Sequence, residues 1–299
     1  MTGPAGTGRF GSLVTAMVTP FDVDGEVDLD GAVRLAKWLS EHRSDALVVA
    51  GSTGEGSSLD DDEAADLFRA VAEAVTIPVI AATGTSSTRH TIHRTGSAKD
   101  AGVDAVLVVT PYYARPSQAG LIAHFEAVAA STDLPILVYD HPVRAGRRVE
   151  TDTMLHLARN SNTIVGVKDA AADVLSTARL AAQAPQGFDI YCGDDAYTLP
   201  MLSVGAVGTV SVAAHWLGPH LSEMIAKFAK GDTEEAQQIN ARYLDAIAFQ
   251  SSEIYPNPLP AKAMCRAMGL PAGQCRLPMG EAPEDLDVLA RELLASISD

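Results

Sequence analysis

The chain has 299 residues, 47% of them hydrophobic, with 22 basic against 38 acidic side chains and a formal net charge of −16. That charge repels nucleic acid and anionic membrane surfaces, and no apolar run is long enough to span a bilayer, so neither is expected as a partner. Three cysteines without CxxC spacing (Cys192, Cys265, Cys275) argue against a disulfide framework or a zinc site. Residues 1–9 are Gly/Thr-rich and lack the apolar centre of a signal peptide, so a cytoplasmic protein is expected.

Along the chain, short β-branched runs alternate with Ala/Leu/Glu/Arg-rich stretches of helical periodicity. A strand at 13–18 is followed by a helix near 29–42, opened by Asp28 or Asp30. The strand at 46–50 precedes a helix near 60–75 whose acidic start, Asp60-Asp61-Asp62-Glu63, complements the helix dipole. Strands at 77–82, 105–110 and 135–139 alternate with helices near 87–101, 118–131 and 151–159, the last preceded by Thr151-Asp152. Strands at 164–168, 189–192 and 207–212 enclose helices near 172–184 and 195–204. Eight such alternations at this length predict an α/β fold, a closed (β/α)8 TIM barrel over residues 11–230, after a flexible N-terminus at 1–10. Beyond the eighth strand only helices are expected, at 214–230, 233–251, 258–268 and 283–297, so residues 231–299 form a small C-terminal helical extension.

Active sites of such barrels gather at the C-terminal ends of the strands. The reactive side chains fall there: Ser52-Thr53 after the second strand, Tyr112-Tyr113 after the fourth, Tyr139 ending the fifth, Lys168 ending the sixth, and Gly193-Asp194-Asp195 after the seventh. Lys168 is the most informative of them. Lys37, Lys99, Lys227 and Lys230 lie in polar, helix-like segments, whereas Lys168 closes the apolar run Ile164-Val165-Gly166-Val167. Burial disfavours an ammonium and frees the amine as a nucleophile toward carbonyls. The same position also suits a lysine that snorkels to water.

Other features have plainer readings beside their functional ones. A strand-end tyrosine such as Tyr139 is commonly a packing residue with a wet hydroxyl. Arg144 sits with Arg147 and Arg148 in what reads as a solvated loop. Gly51-x-x-Gly54-x-Gly56 fits neither phosphate-binding glycine motif, and its glycines suit a tight turn with positive φ. His90 and His93 share a helix face without a third ligand, so no metal is expected; Asp194-Asp195 suits a helix cap better than a magnesium pair.

The ordered set 15–21 (TAMVTPF), 51–55 (GSTGE), 109–113 (VTPYY), Tyr139-Asp140-His141-Pro142, 165–169 (VGVKD), 193–195 (GDD) and Asn257-Pro258 resembles the dihydrodipicolinate synthase/N-acetylneuraminate lyase family. The resemblance runs from about residue 11 to the C-terminus, and 112–125 (YYARPSQAGLIAHF) with Pro142-x-Arg144-x-Gly146 points to its synthase branch. It implies condensation of pyruvate with L-aspartate 4-semialdehyde to 4-hydroxy-tetrahydrodipicolinate, with a covalent imine on Lys168 and no separate cofactor. By the same resemblance Tyr139 is the acid/base, Ser52 relays protons, and Tyr113 reaches in from a neighbouring subunit of a homotetramer built as a pair of dimers. Ser52 and Thr53 would hold the pyruvate carboxylate, carbonyls of Gly193 and Val210 would line the site, and Arg144 would bind the carboxylate of the second substrate. Ser52 stands where the synthases usually have Thr, His141 replaces an aliphatic residue, and Ala145 replaces Thr or Ser. These departures keep open another pyruvate-dependent class I lyase or aldolase, acting on a sugar acid or hydroxy-oxo acid. A non-catalytic barrel would be expected to lose Lys168 or Tyr139, and both are present.

Overall fold

A computed structural model describes residues 8–298. Their order is β1 (Leu13–Ala16), α1 (Leu29–Glu41), β2 (Ala46–Val49), α2 (Asp61–Ala74), β3 (Val79–Ala82), α3 (Thr88–Asp100), β4 (Ala105–Val109) and α4 (Gln118–Ala129). There follow β5 (Ile136–Asp140), α5 (Pro142–Ala145), α6 (Thr151–Asn160), β6 (Ile164–Asp169), α7 (Val174–Gln183), β7 (Asp189–Cys192), α8 (Thr198–Leu202) and β8 (Gly208–Ser211). The chain ends in α9 (Ala214–Ala229), α10 (Thr233–Arg242), α11 (Leu244–Ala248), α12 (Leu259–Ala267) and α13 (Glu284–Ser298). The strands form a closed parallel barrel in sequence order, β8 pairing with β1. The expected (β/α)8 barrel is therefore found, and no helix among the described residues is long and apolar enough to cross a membrane.

The strands are buried on both faces, which is why they read as continuous apolar runs rather than alternating ones. One core fills the barrel, with Val14, Val48, Leu107, Leu137, Tyr191 and Val210 among its residues. A larger core lies between the sheet and the helices. Residues 8–10, placed by the sequence with a flexible N-terminus, are packed instead: Phe10 is buried in the barrel core and its N–H donates to the Tyr191 hydroxyl at 3.0 Å. Residues 1–7 of that segment lie outside the described residues.

Helix starts follow local chemistry. Asp28, not Asp30, caps α1, and Asp60 with Glu63 forms a capping box on α2. Thr151-Asp152 does not cap α6; Glu150 holds that position without a side-chain bond. The stretch 233–251 divides into α10 and α11 at Tyr243, whose buried ring stacks on His220 of α9 at 4.3 Å. The four-residue α5 lies in a loop where no helix was expected; it is too short to show periodicity.

One irregularity positions the site. Ile136 pairs with Ile164, yet Leu137 pairs with Gly166, so β6 bulges at Val165. The shift brings Tyr139 opposite Lys168 and Asp140 opposite Asp169. Gly166 makes it possible, since a Cβ there would lie 2.4 Å from the Asp189 carbonyl oxygen and 2.9 Å from Leu137.

Candidate active site

Lys168 is the penultimate residue of β6, 5% exposed and pointing into the barrel mouth. Among the described residues it has no ion pair and no hydrogen bond; its Nζ lies over the Tyr139 ring, 4.4 Å from the centroid. Room for its stem comes from Gly193, where a Cβ would sit 3.1 Å from Lys168 Cγ and 2.7 Å from Ala170 Cβ. The Gly193 N–H donates to the Asp169 carbonyl at 2.7 Å, fixing the β7 end against β6. Tyr139 is nearly buried and forms part of the wall of a cavity of about 260 Å³; Lys168 stands behind its ring rather than in that wall.

Ser52 and Arg144 also line the cavity, and so does Tyr112. Ser52 and Tyr139 share the cavity, and no hydrogen bond joins them among the described residues. Thr53 is turned away, its buried hydroxyl accepting from Asn257 Nδ2 at 3.1 Å. Val210 lies in the barrel core together with Tyr139. Tyr113 is not brought in: it is 95% exposed, with φ of 70°. Arg115, two residues on, is also left-handed, and unfavourable backbone of this kind collects at functional loops.

The turn bearing Ser52 corrects one expectation. Gly51, Gly54 and Gly56 do not take positive φ; Ala50 and Glu55 do, at 54° and 53°. The glycines serve close approach instead, since a Cβ on Gly56 would fall 1.8 Å from the Ala50 carbonyl oxygen. Beneath the turn Glu55 Oε1 lies 2.6 Å from Nζ of the fully buried Lys262 on α12. Burial pulls the Lys262 amine below the usual lysine range, against the opposing pull of Glu55. Its Nζ also donates to the Gln274 carbonyl at 2.8 Å, so this second buried lysine is fully engaged.

Two residues acquire roles that sequence reasoning did not assign. Asn257, noted only as half of a motif, reaches Thr53 with its side chain and receives Arg144 Nη2 on its carbonyl at 3.4 Å. The available signal was a single asparagine between two prolines, Pro256 and Pro258, just before α12. Asp195 is fully buried and neither caps a helix nor pairs with Asp194; its Oδ2 accepts the N–H groups of Val212 (2.8 Å) and Ala213 (2.9 Å), holding the turn just past Val210. Burial raises its carboxyl. Asp194 does the capping, of a single 3-10 turn at Asp195–Tyr197 that leads into α8, accepting from the Ala196 N–H. His141, edge-on to Tyr139 at 5.8 Å, has its pKa brought down to about 4, chiefly by burial and then by Arg144 and Lys168. It is therefore a neutral ring at neutral pH. His90 and His93 face Asp61 on α2 at 2.8 and 3.7 Å, in an exposed cluster away from Lys168.

Comparison with known proteins agrees with this geometry. The model of the Dihydrodipicolinate synthetase family matches residues 9–296. A 4-hydroxy-tetrahydrodipicolinate synthase of Moorella thermoacetica is 44% identical over 288 residues, spanning 95% of this chain and 98% of that one. Among solved structures, dihydrodipicolinate synthase DapA-2 of Bacillus anthracis superposes with a TM-score of 0.93 at 38% identity, over 97% of this chain and 99% of that one. The chloride-inhibited dihydrodipicolinate synthase of Acinetobacter baumannii, complexed with pyruvate, gives 0.91 at 33% identity, over 97% and 99%. A shared barrel, near-complete coverage on both sides and identity well above the level of fold likeness lead to one conclusion: the chain belongs to the Dihydrodipicolinate synthetase family.

Proposed function

We propose that the chain is a lyase that condenses pyruvate with L-aspartate 4-semialdehyde to 4-hydroxy-tetrahydrodipicolinate. The observation that carries this is Lys168, a buried lysine without a counter-ion, held against a tyrosine at the mouth of the barrel. Its lone pair adds to the pyruvate ketone and water leaves, giving an imine whose positive charge acidifies the methyl group. Loss of that proton forms an enamine, whose carbon attacks the aldehyde while the new alkoxide takes up a proton. The amine of the adduct then attacks the imine carbon, closing the ring and releasing Lys168. The imine is the electron sink, so the mechanism uses neither a separate cofactor nor a metal.

Tyr139 is assigned the acid/base role that the family implies; it lines the cavity with its ring against the reacting nitrogen. Ser52 carries protons onward, and with the backbone N–H of Thr53 it receives the pyruvate carboxylate. Carbonyls of Gly193 and Val210 line the pyruvate side, and Arg144 takes the carboxylate of the second substrate. The working part of the chain is the barrel, 11–230, with 231–299 as a supporting extension. The three free, buried thiols are in keeping with a cytoplasmic protein.

Borohydride reduction in the presence of pyruvate should add one pyruvyl mass, mapping to Lys168. Labelling on Lys262, or none in the wild type, would end the imine mechanism.

The oligomeric reading, a homotetramer made of two dimers, is what membership of the family implies, and Tyr113 bears on the dimer within it. Its exposed ring, on a left-handed stretch of loop, does not line its own cavity and is free to complete a neighbour's. Mixing Lys168→Ala with Tyr113→Phe under subunit exchange should restore activity, because one site of each mixed dimer then holds both groups. Full activity in a species that sediments as a monomer refutes it.

A further inference from the structure

We infer that Asp140 is a positioning residue whose carboxyl holds the turn 142–149, and with it Arg144, in a proton-dependent way. The inference rests on the reading of Arg144 given above and concerns how that arginine is placed.

Asp140 follows Tyr139 but points the other way, out of the barrel and under the turn, at 4% exposure. Its Oδ1 accepts the Val149 N–H at 3.1 Å. The near end of the turn is a compact unit: the N–H groups of Arg144 and Ala145 donate to the His141 carbonyl, and Gly146 N–H donates to Pro142. Arg115 holds the middle of the turn, its Nε donating to the Gly146 carbonyl at 2.9 Å, and at the far end two side chains among the described residues hold the backbone. One is Asp140, through Val149; the other is the neutral Gln118 of α4, which donates to the Arg148 carbonyl at 2.9 Å and accepts the Glu150 N–H at 3.1 Å. Asp140 is thus the charged tie between the strand carrying Tyr139 and the turn carrying Arg144.

Its surroundings make that tie sensitive to protons. Facing it from β6 is a second buried carboxylate, Asp169, its register partner, which accepts the Ala171 N–H at 3.0 Å and the Thr177 hydroxyl of α7 at 2.7 Å. Arg148 faces it from the turn, already 2.7 Å from Asp173. Asp169 and Arg148 are the charged groups that act on it. Burial is the main cause of a carboxyl pushed up to about 7; Asp169 adds to the rise, and the Val149 N–H and Arg148 oppose it. When Asp140 is ionised the bond to Val149 is charge-assisted and Arg148 is drawn in, so the turn is tight. When it takes a proton the acceptor becomes neutral, that bond loses about half its strength, and the turn slackens. Asparagine keeps the acceptor oxygen but fixes the neutral form.

The test compares wild type with Asp140→Asn across the value of about 7. In wild type, kcat/KM for the aldehyde should rise about 5-fold through that pH, the margin of a charge-assisted over a neutral hydrogen bond. In Asp140→Asn the step should vanish, while borohydride trapping of pyruvate stays as in wild type. Amide exchange over 142–149, corrected for its intrinsic pH dependence, should show protection falling below the same pH in wild type. That arm needs neither activity nor a folded variant. A step that persists in Asp140→Asn, or protection in wild type that does not change with pH, overturns the inference. Absence of pyruvate trapping in wild type overturns the proposed reaction instead, and exchange then decides the role of Asp140 alone.

Discussion

Replacing Lys262 by Met should cost about 3–5 kcal/mol of folding stability, the loss seen when one partner of a buried ion pair is removed and the other is stranded. Lys262 is fully buried and Glu55 nearly so, with 2.6 Å between the charged atoms. Methionine fills much of the same volume but leaves Glu55 with a single backbone donor, the Arg276 N–H at 2.9 Å. The pair itself need not be stabilising relative to an apolar pair, since desolvating two charges offsets most of their attraction. The double variant Lys262→Met with Glu55→Gln should therefore recover part of the loss. Urea unfolding reads both, as a shift of midpoint at constant slope. A loss below about 1 kcal/mol in the single variant would show that water or a rearranged Arg276 compensates Glu55, because that is the scale of an exposed pair. The consequence reaches the site: Glu55 closes the turn that carries Ser52 and Thr53, so a loosened pair should also raise KM for pyruvate.

That ion pair also marks where sequence reading stops. The barrel was legible because each parallel strand, buried on both faces, is a short apolar run bounded by polar stretches, and because the acidic run Asp60-Asp61-Asp62-Glu63 marks a helix start by itself. Lys168 was legible for the same reason, as a charge closing such a run. What escaped depends on pairing across the sheet or between distant segments. Nothing local to Val165 shows the bulge, which exists only relative to β5, yet it decides that Tyr139 rather than Asp140 stands opposite Lys168. Glu55 and Lys262 meet only because α12 returns under the barrel mouth. Asp195 looks like half of an acidic pair in sequence, and its role depends on where the β8 turn passes. The glycines of 51–56 were read for φ, whereas the fold uses them for lack of a side chain.

Arg144→Ala should lower kcat/KM for the aldehyde substrate on the order of 10- to 100-fold, the equivalent of about 1.5–3 kcal/mol for a hydrogen bond to a charged group. Arg144 lines the cavity with Ser52 and Tyr139, and its own tie within the protein is one long bond to the Asn257 carbonyl at 3.4 Å. No carboxylate neutralises it among the described residues, so its charge is free for a ligand carboxylate. The pyruvate chemistry proposed for Lys168 would take place against the Tyr139 ring, away from Arg144, so borohydride trapping should stay close to wild type. Arg144→Lys separates charge from shape: an ammonium keeps the attraction but not the two-pronged geometry, and should fall between wild type and alanine. Equal loss of trapping and of aldehyde use would mean that Arg144 holds the cavity wall as a whole through Asn257 and Thr53. In that case a substitution at Asn257 should reproduce the defect, and the selection of the second substrate would have to be sought elsewhere in the cavity.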